Sequence, residues 1–126
     1  MTPFGERLRQ LRKAKGVSQK DMAAALGVSA AYLSALEHGR RGAPSWALVQ
    51  KTIGYFNIIW DDAEDLERRA WSSHPRVTID TGGLSPKATA FANLLAANVG
   101  RLAEGDLDAL DEALRRALEL DGSVPA

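Results

Sequence analysis

The sequence predicts an all-α chain. Five short helices fill the first 71 residues, and a second helical segment follows a joint near Ser73, with one short strand at its entry. Three observations predict this. Apolar residues recur at i, i+3/i+4, i+7 between Ser or Thr caps and glycine stops. Pro3 and Pro86 each follow a capping Thr or Ser, the arrangement of a first helical turn. Only Val77 and Ile79 alternate with polar neighbours at strand spacing. With 126 residues, the chain has room for one domain, 1–73, and a C-terminal appendage, 74–126.

The elements follow in order. Thr2-Pro3 opens the first helix, and Phe4, Leu8 and Leu11 give it one apolar face; Gly16 ends it. Ser18-Gln19-Lys20-Asp21 has the form of a capping box, and Val17 and Met22 can staple the start of the second helix. Gly27 stops that helix, Ser29 caps the third (Ala30 to about His38), and Gly39 ends it. Ser45 caps a fourth helix, about Trp46 to Tyr55, and Asn57 breaks it. A fifth, about Ile59 to Trp71, starts acidic and ends basic, which complements the helix dipole. After Ser72-Ser73-His74-Pro75, the Ser85-Pro86 start leads into an apolar stripe from Ala88 to Leu102. Gly105-Asp106 predicts a break, and Leu107, Leu110, Leu114 and Leu118 mark a last helix. The tail from Asp121 is expected to fray.

Composition narrows the function. The chain has no cysteine, which excludes disulfides and thiolate chemistry and fits a reducing, cytoplasmic setting. No apolar run approaches the ~20 residues of a membrane span, and the first residues lack a secretion signal. Nothing pairs a nucleophile with a base, so no enzyme is expected. No second histidine or cysteine lies near His38, His74 before a proline reads as a linker residue, and no metal or cofactor is expected. The zero net charge is unevenly spread. Residues 1–45 hold eight Lys/Arg against three Asp/Glu, whereas 46–73 and 74–126 are each net acidic. A basic front suggests a polyanion partner.

The informative stretch is Val17 to Pro44. Two short capped helices meet through Gly27, with Ala23 small enough for a close crossing and Val28 as an apolar plug, the physics of a helix-turn-helix. The ordered run Ser18-Gln19-Lys20-Asp21-Met22-Ala23, Leu26-Gly27-Val28-Ser29, Tyr32-Leu33-Ser34-Ala35-Leu36-Glu37-His38-Gly39-Arg40-Arg41 and Pro44-Ser45 resembles the Cro/C1-type (XRE, lambda repressor-like) helix-turn-helix regulators. The resemblance covers residues 4 to about 66. It implies that the third helix enters the major groove of double-stranded DNA and that the second rests on the backbone. Gln19 then matches a phosphate-touching glutamine. Ser29, Ala30, Ala31, Tyr32, Ser34 and Ala35 match positions facing bases and backbone, although Tyr32 could instead pack on a neighbouring helix. His38, Arg40 and Arg41 lie where the following loop meets phosphates, and Arg12 and Glu37 match a pair joining the first helix to the third.

One departure stands out. Ala30, Ala31 and Ala35 hold positions where long polar side chains usually read base edges. Alanine can touch a thymine methyl but makes no bidentate contact. Three functions therefore compete: a homodimeric DNA-binding regulator, most simply a repressor; a module on the same fold that binds RNA polymerase or another regulator; and an antitoxin whose acidic C-terminal half covers a basic partner. In the first, the segment after Pro75 is the dimerisation element. Its two leucine-rich stripes bury each other, and Val77 and Ile79 pair across a two-fold axis.

Overall fold

The computed structural model describes residues 1–119. They form two compact units, Met1–Val77 and the stretch from Thr78 onward. The first holds α1 (Pro3–Lys15), α2 (Gln19–Leu26), α3 (Ala30–Glu37), α4 (Trp46–Tyr55) and α5 (Trp60–Trp71). The second holds α6 (Pro86–Asn98), a 3-10 turn at Val99–Arg101 and α7 (Glu104–Leu118). The architecture is all-helical, with a helix-turn-helix in the first unit.

Local chemistry sets the helix starts. The hydroxyls of Thr2, Ser18, Ser29, Ser45 and Ser85 accept from the backbone N–H of Gly5, Asp21, Tyr32, Leu48 and Ala88, each satisfying a donor that the first turn leaves free. α5 starts differently. Ile59 is extended and gives no side-chain cap, while Asn57 and Trp60 both sit at left-handed φ, 52° and 53°.

In the first unit α1 packs on α3 and α5, α2 on α3 and α4, and α4 on α5. Phe4, Leu8, Met22, Leu26, Leu33 and Leu66 meet in the fully buried centre. At the α1–α3 crossing a Cβ on Gly5 would collide with the Leu36 carbonyl oxygen, so glycine permits the approach. The unit closes on itself: the Phe4 N–H donates to the buried Ser73 hydroxyl (2.9 Å), tying the first helix to the chain after α5.

The second unit departs from the sequence expectation in three ways. No strand forms among the described residues; Val77 and Ile79 are exposed, without a paired strand to share a hydrogen-bond ladder. The helix break falls at Val99–Ala103 rather than at Gly105, which lies inside α7. Asp106 explains the shift: its carboxylate accepts from the Ala103 N–H (3.2 Å) and fixes the start of α7 one turn earlier, leaving Leu102 extended. Finally, the two apolar stripes do not bury each other, and no described residue from Thr78 on is buried. The expected fraying from Asp121 lies outside the described residues. No helix among the described residues is long and apolar enough to cross a membrane.

Candidate nucleic-acid interface

The turn between α2 and α3 is made by Gly27 at φ 73°, a conformation that side-chain-bearing residues rarely adopt. Its N–H and that of Val28 return to the last carbonyls of α2, so the chain reverses within two residues and Ser29 can cap α3 at once. Ala23 is buried where α2 meets α3, and Val28 packs against the core.

Of α3, Leu33, Leu36 and Glu37 face inward. The outward side is formed by Ala30 and Ala31, both exposed, with Tyr32, Ser34 and Ala35 half-buried beside them. Ser29 is exposed at the helix start, although its hydroxyl is engaged by the Tyr32 N–H (3.0 Å). Gln19 is half-buried at the first position of α2, next to that helix's free N–H groups. Arg40 and Arg41 are exposed on the loop after α3. The Arg41 guanidinium lies 5.6 Å from the centre of the Tyr32 ring, within cation–π range. Tyr32 thus packs against the core and carries Arg41 on its face.

His38 is exposed at the C-cap of α3. Its Nδ1 lies 2.7 Å from the Ser34 carbonyl oxygen, and a carbonyl can only accept, so Nδ1 carries the proton.

Beneath this face lies the α1–α3 ion pair. Arg12 Nε and Nη2 donate to the two Glu37 carboxylate oxygens at 2.9 and 3.0 Å, and Nη1 donates to the Val17 carbonyl oxygen at 3.2 Å. Glu37 is 1% exposed, so the fork replaces the water its carboxylate has lost and fixes the rotation of α3 relative to α1.

The structure also separates the basic residues by task. Lys15 donates to the Tyr55 carbonyl oxygen (3.0 Å) and lies over the Tyr55 ring (4.1 Å), so it joins α1 to the end of α4 and is engaged within the fold. Lys51 was not legible as part of the site. It is exposed on α4, and its ammonium comes close to Gly27, which adds a cation beside the turn. Only the pairing of α2 with α4 reveals it.

Comparison with known proteins agrees with this geometry. The family described as "Helix-turn-helix domain" matches residues 3–53. Three curated proteins of Bacillus subtilis (strain 168) are similar to the N-terminal part. The uncharacterized HTH-type transcriptional regulator YazB is 38% identical over 65 residues, which is 52% of this chain and 93% of the relative. The uncharacterized HTH-type transcriptional regulator RghRB is 34% identical over 62 residues, and the HTH-type transcriptional repressor RghR is 43% identical over 61. These matches cover 49% and 48% of this chain, and 45% of each of those two relatives, so the chain spans about half their length. No solved structure gives a significant match.

Proposed function

We propose that this chain, which belongs to the helix-turn-helix family of transcriptional regulators, is a sequence-specific double-stranded DNA-binding repressor of the Cro/C1 type that acts as a homodimer. One observation carries the DNA reading: α3 presents a shallow, small-residue face flanked by the exposed cations Arg40 and Arg41, while the α1–α3 ion pair holds its orientation. A helix with this exposure fits a major groove, and the loop cations meet the phosphates beside it. The relative with 43% identity, RghR, is a transcriptional repressor by name, which supports repression as the activity here.

With Ala30, Ala31 and Ala35 in place of long polar side chains, readout rests on thymine methyls, Ser29, Tyr32, Ser34 and DNA shape. The same three alanines favour a second reading, in which the α3 face meets another protein rather than DNA. The two separate in a titration of the full chain against random duplex DNA at several salt concentrations. DNA binding gives a log–log slope of roughly −0.9 per phosphate contact. Absence of measurable affinity at low salt overturns the DNA reading and leaves the protein-binding one.

One helix-turn-helix reads few base pairs, so two linked copies gain from effective concentration and expect half-sites about one helical turn apart. The unit from Thr78 onward, acidic and therefore repelled by DNA, is the element we assign to holding two copies together.

A further inference from the structure

We propose that the cleft between α6 and α7 receives the α7 helix of a second copy of this chain, running antiparallel across a two-fold axis, so that this unit completes its core as an intertwined dimer. The proposal rests on the homodimeric reading above and gives it a geometry.

The cleft has a volume of about 970 Å³ and is lined by apolar side chains, among them Phe91, Leu94, Leu110 and Leu114. Phe91 and Leu94 are 62% and 63% exposed, and Leu110, Leu114 and Leu118 between 50% and 58%. Leu95, Leu102 and Leu107 are half-covered beside them, so both helices leave an apolar face open to a partner. A unit this small needs a staple. The sequence has no cysteine to supply a disulfide, and association with a second copy is one way to supply the staple.

Charge selects the occupant. Asp108 and Asp111 stand in the lining of the apolar cleft; Asp111 is held by Arg115 of its own helix at 2.8 Å, whereas Asp108 makes no ion pair among the described residues. A complementary guest is a helix that carries leucines and cations together. The second half of α7 is such a segment: it carries Leu114, Leu118 and Arg116, the last without an ion pair among the described residues, while Arg115 is held by Asp111. Charge also selects the direction. α7 begins with Glu104, Asp106 and Asp108 and ends with Arg115 and Arg116. A parallel pair sets acid against acid, whereas an antiparallel pair sets each acidic start beside the partner's basic end.

The test uses full-length chains and sedimentation equilibrium, with far-ultraviolet circular dichroism as a control on helix content. The wild type is expected to be a dimer at micromolar concentration. Arg116→Glu, and separately Asp108→Arg, both of which leave the Asp111–Arg115 pair of α7 intact, are each expected to raise the dimer dissociation constant severalfold. An equimolar mixture of the two variants is expected to regain wild-type affinity as a heterodimer, because reversed charges again face each other. If the reversals leave the dimer intact, or if mixing restores nothing, the α7 pairing is overturned while homodimerisation stands. A wild-type chain that remains a monomer at 100 µM overturns both. A monomer that binds a synthetic basic amphipathic helix in the cleft assigns the cleft to a different protein.

Discussion

From Met1 to Val77, eleven apolar side chains are buried in one core; from Thr78 to Glu119 none is. The two units nevertheless carry the same local signals, namely serine caps, a proline at a first turn and leucines at helical spacing. Their bonds differ in reach. In the first unit side chains link distant parts of the chain: Arg12 to Glu37, Lys15 to the Tyr55 carbonyl, Gln50 to Glu67, and Ser73 to the Phe4 N–H. In the second, every side-chain bond among the described residues joins groups no more than four positions apart. Helical periodicity states which face of a helix is apolar, but what covers that face depends on how many neighbours the fold supplies. Five crossing helices supply enough; two do not.

The largest expected effect tests the long-range side of this contrast. Glu37→Ala strands Arg12, which is 16% exposed, without its partner carboxylate. The expected loss is about 3–5 kcal/mol, measured by urea unfolding of the full chain. Glu37→Gln keeps one hydrogen bond and should lose less. If Glu37→Ala unfolds at the wild-type midpoint, the pair does not hold α3 to α1.

Next comes a paired measurement. Leu33→Ala empties a fully buried site in the first unit and should cost about 2–5 kcal/mol at any protein concentration. Leu114→Ala removes a side chain that is 58% exposed in the single chain. Under the dimer proposal its effect appears only in association: unchanged unfolding of the first unit, and a weaker dimer by sedimentation. A concentration-independent loss of similar size at both sites erases the distinction between the units.

The same contrast explains how far the sequence could be read. The starts of α1, α2, α3, α4 and α6 were legible because a Ser or Thr hydroxyl meets an N–H three residues on, a contact contained within one turn. The turn at Gly27 and the outward side of α3 follow equally from local rules. The expected strand at Val77 and Ile79 did not form, since alternation marks a residue pattern and a strand also needs a paired neighbour. The break before α7 was misplaced because a glycine signals weakness, whereas Asp106 accepting from Ala103 decides the start. Lys51 beside Gly27 and Arg41 against Tyr32 depend on how helices and loops come together, which no spacing encodes.

Substitutions on the α3 face should change DNA recognition and leave association untouched, the mirror image of Leu114→Ala. Ala30→Gln and Ala31→Gln place a long polar side chain at exposed positions. Where such a side chain meets an adenine edge, it should add about 1–3 kcal/mol of discrimination. Selection from a random duplex pool is the measurement. The wild-type consensus returned by both variants would remove α3 from the groove.

The smallest effects separate charge from geometry on the loop after α3. Arg40→Ala and Arg41→Ala each remove a cation that can displace a counterion from DNA, so each should reduce the salt slope by about one unit. Gln19→Ala removes a neutral donor at the start of α2. It should weaken binding by about 1 kcal/mol and leave the slope unchanged, since no counterion is released by a neutral contact. Arg41→Lys is the sharper variant. It keeps the charge, so the slope should hold at the wild-type value. A lysine lacks the planar guanidinium that packs 5.6 Å from the Tyr32 ring centre, so the loop should be held less firmly and affinity should fall by severalfold at every salt concentration. Anisotropy titrations from low to moderate salt read both quantities at once. A parallel downward displacement of the Arg41→Lys line assigns Arg41 two roles, one toward phosphate and one toward Tyr32. A line that coincides with wild type leaves it only the first.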